Sequence, residues 1–461
     1  MARSTQQRHR FTAALAGSIA LVLCLGAEAP GTATAEEQVA GAQTGDRSND
    51  EASKEKRLEA VERAVEVLAE EQDRLRTVFA VPEEGLQSAY GLGPAASKVY
   101  SKEHGLSIGG YGEWRGRFLV ADNPEDEHDQ LDQLRAVLYT GYKFTDWLVF
   151  NSEVEFEHGS TEGAGAVSVE FLTLDFLLHP AANLRAGLLL IPMGFLNEIH
   201  EPVFYYGVER PEVERRILPS TWRENGAGLF GELCDRLSYR LYVVNGFRAS
   251  GFEDSGFREG KQDGSEALAD HFAFVGRADL RVIEGMTLGG SVYAGKTGQN
   301  ETITREVGGT DQDFDIPDAM ALIWEVHAEL KRYGASLRGL YAHSHLQNAG
   351  RLSRALGLGM RESVAKEMEG GYVEIGYDVL PLLLPETRMS LEPFYRFEHL
   401  DTQDEVADGF RRNRNLSRDF HVVGLQFKPH PQVVVKLDYR NIAAQGGHVA
   451  DEVQVGLGYV F

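Results

Sequence analysis

The chain has 461 residues, 43% of them hydrophobic, and a formal charge of −24. That charge excludes a nucleic-acid partner, since phosphates need a basic face. Its two cysteines, Cys24 and Cys234, leave no internal disulfide framework once the leader described next is removed.

Residues 1–35 read as a signal peptide. Arg3, Arg8 and Arg10 precede an apolar run from Phe11 to Ala27, and Ala33-Thr34-Ala35 is an A-x-A cleavage pattern. Residues 36–53 carry Gly, Ala, Ser, Thr and charge without periodicity, the composition of a flexible linker. In residues 54–80 the spacing changes to alternating threes and fours at Leu58, Val61, Val65, Leu68, Gln72, Leu75 and Phe79, a coiled-coil seam. A lone helix of this length is marginal in water, so association between chains is the natural way to bury the stripe. Docking on the rest of the chain is the alternative. Pro82 ends the helix, and residues 81–105 read as a linker.

From Leu106 to Phe461 the period becomes two. Val453, Val455, Leu457, Tyr459 and Phe461 alternate with Glu452, Gln454, Gly456, Gly458 and Val460, and Leu322, Trp324, Val326, Ala328 and Leu330 alternate with Glu325, His327, Glu329 and Lys331. Strands of ten to fourteen residues with charge along the polar face fit a bilayer-crossing barrel with a wet lumen. No later segment is apolar enough for a membrane helix, and the mean hydropathy is −0.29. The fold class is therefore an all-β transmembrane barrel, spanning 106–461 in an outer membrane, with the coiled-coil helix on the periplasmic side. Its lipid partner follows from the apolar face. Tyr142, Phe144, Trp147, Tyr239 and Tyr439 suit its aromatic girdles.

Sixteen strands are predicted to begin near Leu106, Leu131, Trp147, Val167, Leu184, Ala227, Leu237, Phe272, Met286, Ala321, Ala335, Gly371, Arg388, Asp419, Gln432 and Asp451. Their connections alternate between short turns, such as Glu284-Gly285 and Tyr333-Gly334, and long loops, such as Arg248 to His271 and Leu400 to Arg418. This is the asymmetry of an outer-membrane barrel. The longest connection, Pro192 to Asn225, holds Phe195, Phe204, Tyr205 and Tyr206. It also holds Glu198, Glu201, Glu209, Arg210, Glu212, Glu214, Arg215, Arg216, Arg223 and Glu224. A loop so rich in aromatics is expected to fold into the lumen as a constriction, where irregular backbone is tolerated. An external lid or a contact between protomers is the competing reading.

Gly110-Tyr111-Gly112-Glu113, His200-Glu201-Pro202, Arg210-Pro211-Glu212-Val213-Glu214, the stretch Pro219 to Gly226 and the terminal Tyr459-Val460-Phe461 resemble the porin O and P family. The resemblance covers roughly Leu106 to Phe461. It implies a homotrimer of sixteen-stranded barrels with the third loop inside, passing small polar or charged solutes and ions. Phe461 is implied as the barrel-assembly signal. Phosphate-selective members carry lysines on the third loop and arginines along the lumen. Here that loop has no lysine, and six glutamates face four arginines. Arg115, Arg117, Arg135, Arg185, Arg277, Arg396 and Arg440 fall on the inward face and could form a basic track, or pair with glutamates that share it, such as Glu113, Glu155 and Glu374. Phosphate is one candidate solute among small anions, and the sign of selectivity is left open.

No catalytic residues, cofactor or metal site are expected. There is no G-x-S-x-G nucleophile context. His343-Ser344-His345 offers two imidazoles without a third ligand. Two other roles are compatible with the same pattern: a structural protein tethering the membrane to the cell wall through its coiled coil, and a barrel-embedded hydrolase.

Overall fold

The computed structural model describes residues 56–69, 87–121 and 128–461. The leader, the linker 36–53 and the part of the seam at Gln72, Leu75 and Phe79 lie outside the described residues. The chain divides into two units, 1–70 and 71–461. In the first, residues 56–69 are continuously helical, with Leu58, Val61, Val65 and Leu68 all exposed.

The second unit is a closed antiparallel barrel. Its sixteen strands are β1 (Gly105–Ala121), β2 (Gln130–Thr145), β3 (Leu148–Glu157), β4 (Val167–His179), β5 (Ala182–Leu190), β6 (Arg223–Cys234), β7 (Leu237–Asn245), β8 (Phe272–Ile283), β9 (Met286–Lys296), β12 (Met320–Arg332), β13 (Ala335–Leu346), β14 (Glu367–Tyr377), β15 (Ser390–Glu405), β16 (Ser417–His430), β17 (Val433–Ala444) and β19 (Asp451–Val460). A separate hairpin, β10 (Thr302–Val307) and β11 (Thr310–Asp315), stands in one long loop, and the two-residue β18 (Gly447–His448) in another. Each barrel strand pairs with its chain neighbour, and β19 pairs with β1 to close the ring. Phe461 extends that closure: its amide donates to the Gly110 carbonyl (2.8 Å) and its carbonyl accepts from Gly110 (3.0 Å).

The strands are inside out because the alternation is inside out. On β17, Val435, Leu437 and Tyr439 are exposed while Lys436, Asp438 and Arg440 are buried. On β2, Leu138 and Tyr142 point out and Val137 and Tyr139 point in. Exposed Leu, Val, Phe and Tyr recur this way around the ring. An apolar belt of that extent needs hydrocarbon as its solvent.

One end of the barrel carries short turns, among them 284–285 and 333–334, and the other carries long loops. The sequence-based strand starts agree to within four residues. Two boundaries move. The third loop spans 191–222, so Arg223, Glu224 and Asn225 open β6 instead of ending the loop. β15 runs on to Glu405, past the Leu400 at which its loop was expected to begin.

The segment 87–104, expected to be linker, is folded against the barrel wall as a helical turn Pro94–Ser97 followed by the 3-10 turn Lys98–Ser101. Leu92, Ala95, Ala96 and Val99 are buried.

Candidate functional site

The lumen is crossed by the third loop. Tyr205 donates to Glu113 on β1 (2.6 Å), Tyr206 to Glu392 on β15 (2.5 Å), and the Val208 amide to Asp438 on β17 (2.6 Å). The Val213 amide donates to Glu398 on β15 (2.6 Å), and Tyr372 on β14 donates to Glu214 (2.6 Å). On the opposite side His200 meets Glu153 on β3 (3.1 Å), and Glu198 pairs with Arg240 on β7 (3.0 Å). One loop can reach partners on both sides of the ring only by passing through it. Lys436 holds the crossing from β17 by donating to the carbonyls of Tyr205 (2.9 Å) and Gly207 (2.8 Å), and Arg396 on β15 donates to those of Tyr206 (3.4 Å) and Glu209 (3.2 Å). These buried cations serve backbone oxygens of the loop that no strand pairs.

At the far end of the loop, Trp222 is fully buried and stacks on Phe247 with centroids 4.6 Å apart. Phe252 and Phe257 pack on the same Phe247 ring. The next long loop thus clamps the third, and Lys261 from it donates to the Thr221 carbonyl (2.7 Å).

The ten charged residues expected to form a constriction separate into groups. Glu209, Glu212, Arg215 and Arg216 line a recess of about 380 Å³ toward the long-loop end, with Arg115, Arg117, Arg418, Arg440 and Glu452. Glu198 and Glu214 are buried in contacts that fix the loop, Glu201 is fully buried, and Arg210 lies beneath the loop near the His200 carbonyl (3.4 Å). Arg223 and Glu224 sit on β6, Arg223 paired with Glu170 (2.6 Å) and Glu224 accepting from Asn245 (2.5 Å).

Glu212 is gripped by Arg215 (3.1 Å), Arg440 (3.3 Å) and Arg216 (3.5 Å). Burial pushes its carboxyl up, but the guanidiniums of Arg215, Arg440 and Arg216 prevail and bring it down to about 2. Glu201 lacks such a set, and burial pushes it up to about 7.

The seven arginines expected along the lumen all face inward, and each has a carboxylate. Arg115 pairs with Glu209, Arg117 with Glu452 (2.8 Å), Arg135 with Glu113 (3.2 Å) and Glu155 (3.1 Å), and Arg185 with Asp175 (2.7 Å). Arg277 pairs with Asp279 (2.8 Å), Arg396 with Glu374 (3.3 Å), and Arg440 with Glu452 (3.1 Å). The pairs of Arg117, Arg135, Arg185, Arg396 and Arg440 cross between strands and stiffen the wall as well as lining it with charge, while Arg277 pairs along β8 and Arg115 with the loop. Both His343 and His345 reach Glu367 (3.4 and 3.2 Å). Among the described residues no group of three or more His, Cys, Asp or Glu is placed to hold a metal.

A second recess, of about 390 Å³, opens toward the short-turn end between Phe204–Tyr206 and the wall of β12–β16. Lys331, Arg332, Arg338 and Lys428 line it with Asp378 and Glu392. Arg332 and Lys428 escaped the sequence reading, although Lys331-Arg332 directly precede the turn predicted at Tyr333-Gly334. The third-loop residues 205–209 separate the two recesses. Both hold more cations than carboxylates, four to two here and, in the first, six arginines to three glutamates.

No family model matches the chain. A protein of Aquifex aeolicus (strain VF5), described as an uncharacterized protein, is 35% identical over 378 residues, covering 79% of this chain and 82% of its own. Among solved structures, a loop-deletion mutant of OmpT, an outer membrane protein of Vibrio cholerae, superposes with a TM-score of 0.50 at 13% identity, covering 78% of this chain and all of that one. OmpF of Salmonella typhi in complex with daunomycin gives 0.50 at 12% identity over 78% of this chain and 98% of its own. These two likenesses establish the architecture as the sixteen-stranded barrel of outer-membrane porins.

Proposed function

The chain belongs to one family with the Aquifex aeolicus protein, and we propose that it is an outer-membrane porin through which small polar or charged solutes diffuse passively. The observation that carries this reading is the inside-out wall: apolar outside, charged inside, with an internal loop that narrows the lumen. The short-turn end then faces the periplasm and the long-loop end the exterior.

The chain's charge of −24 would suggest cation preference, but the recesses support the opposite. Cationic lining groups exceed carboxylates by two to one in each, and a narrow pore selects on the charge it presents locally. Small anions, inorganic phosphate among them, are the favoured solutes. A homotrimer is proposed as the functional unit, with the exposed stripe Leu58, Val61, Val65 and Leu68 buried between helices of three chains.

Single-channel conductance of purified protein in planar bilayers tests the reading. Steady steps with an anion-selective reversal potential under a salt gradient support it, and block by added phosphate adds that solute. Cation preference would overturn the anion assignment, and folded protein that passes no current would overturn the pore itself.

A further inference from the structure

Residues 88–103 are seated inside the barrel along one continuous stretch of wall. Lys98 donates to the Ile108 carbonyl on β1 (2.9 Å), Asn151 on β3 donates to the Ala96 carbonyl (2.8 Å), and Tyr100 donates to Asp175 on β4 (2.6 Å). Arg185 on β5 donates in turn to the Tyr100 hydroxyl (3.1 Å), and Tyr90 packs edge-on against Phe230 of β6. Leu92, Ala95 and Ala96 share a buried cluster with Tyr111, Tyr139 and Phe171 from the wall and with Leu190 and Val203 from either end of the third-loop entry.

The wall is cut to receive this segment. A Cβ at Gly109 of β1 would stand 2.9 Å from the Ala95 carbonyl oxygen, and one at Gly141 of β2 would stand 2.7 Å from the Val99 Cβ. Glycine inside a strand is destabilising relative to alanine, and it marks a site of close backbone approach. Two such notches beneath successive turns of one segment, together with wall side chains that bond its carbonyl and hydroxyl, describe a receptor with its occupant in place.

We propose that residues 88–103 are a resident stopper that closes the β1–β6 half of the periplasmic mouth. Solutes then leave along the β12–β16 half, past Lys331, Arg332, Arg338 and Lys428, which set the charge preference of the exit. This rests on the pore reading and adds to it the route. The stopper lies between the wall and the start of the third loop, whereas the recess lies on the other side of Phe204–Tyr206.

The test uses the full mature chain with Cys234→Ser, carrying either Lys428→Cys or Asn151→Cys. A charged methanethiosulfonate reagent is added from the periplasmic side. Lys428→Cys is expected to label and to lose at least about half of its current, because the added bulk sits in the exit. Asn151→Cys, under the stopper, is expected to stay unlabelled. In a third protein lacking residues 88–103, conductance is expected to rise at least about twofold, and Asn151→Cys becomes reactive. Rapid labelling of Asn151→Cys in the intact chain, or an unchanged conductance after the deletion, would overturn the stopper. If the deletion does not fold, the labelling contrast in the intact chain decides. Labelling is also read by mass in detergent, so a protein that never conducts refutes the pore while the mass shift still decides the stopper.

Discussion

Arg396→Met is the sharpest perturbation of the loop that crosses the lumen. Arg396 is wholly buried. It pairs with Glu374 (3.3 Å), approaches Glu398 (3.8 Å), and donates to the loop carbonyls of Tyr206 and Glu209. Methionine keeps the bulk and removes every donor. Breaking a buried pair from one side costs about 3–5 kcal/mol, because the remaining carboxylate is left desolvated and unpaired. Two carbonyls losing partners at 3.2–3.4 Å add on the order of 1 kcal/mol each. A loss of roughly 5–7 kcal/mol is therefore expected. Urea unfolding in detergent micelles measures it, followed by tryptophan fluorescence, since Trp222 sits at the loop's end in a fully buried stack. Adding Glu374→Gln to Arg396→Met should recover part of the loss, while Arg396→Lys should fall between, since a compact ammonium lacks the planar five-donor fork that spans both the carboxylate and the loop carbonyls. If Arg396→Met unfolds within about 1 kcal/mol of wild type, Arg396 does not anchor the loop and the account of the crossing is wrong.

Reversing charge in the external recess with Arg215→Glu and Arg216→Glu should move the reversal potential toward cations, and an unchanged potential would mean that solutes bypass that recess. Glu212, held near 2 by its three guanidiniums against an unfolded value of about 4.3, contributes stability that is present above about pH 4.3 and lost as pH falls toward 2. The stability gap between wild type and Glu212→Gln should accordingly narrow across that window in acid denaturation, and a gap that widens would contradict the ion-pair assignment. Val65→Asp places a charge in the exposed helical stripe and should dissociate the oligomer in analytical ultracentrifugation while leaving each barrel folded. An oligomer that resists it is held by the barrels alone.

Much of the barrel is legible in the sequence because its cause is local. Strand residues alternate between two solvents, and a period of two is readable over six residues without knowing any partner. Loop lengths then follow from where the alternation stops. This is why the run from Val433 to Tyr439 can be placed on its strand and its face, and why the ring of sixteen can be counted. The cross-strand charge lattice is half legible: alternation puts Arg135, Glu113 and Glu155 on one face, but only the register of β1 against β2 and of β2 against β3 makes them partners.

The contents of the lumen belong to the tertiary structure. Tyr205 finds Glu113 across 92 residues of sequence and Val208 finds Asp438 across 230, and no local pattern encodes such meetings. For the same reason Arg223 and Glu224, which lie beside the loop in sequence, join β6 instead, and a segment with the composition of a linker becomes a buried wedge. Its apolar residues are interleaved with Gly, Ser and Pro and follow neither a strand nor a helix period, so composition alone marks it as unstructured. It is ordered by the notches at Gly109 and Gly141, which exist only once the ring has closed. The chain by itself determined that a membrane barrel would form, because burial of an alternating face is a property of each strand. Which half of that barrel stays open was decided by contacts between residues as distant in sequence as Tyr90 and Phe230, which no local pattern encodes.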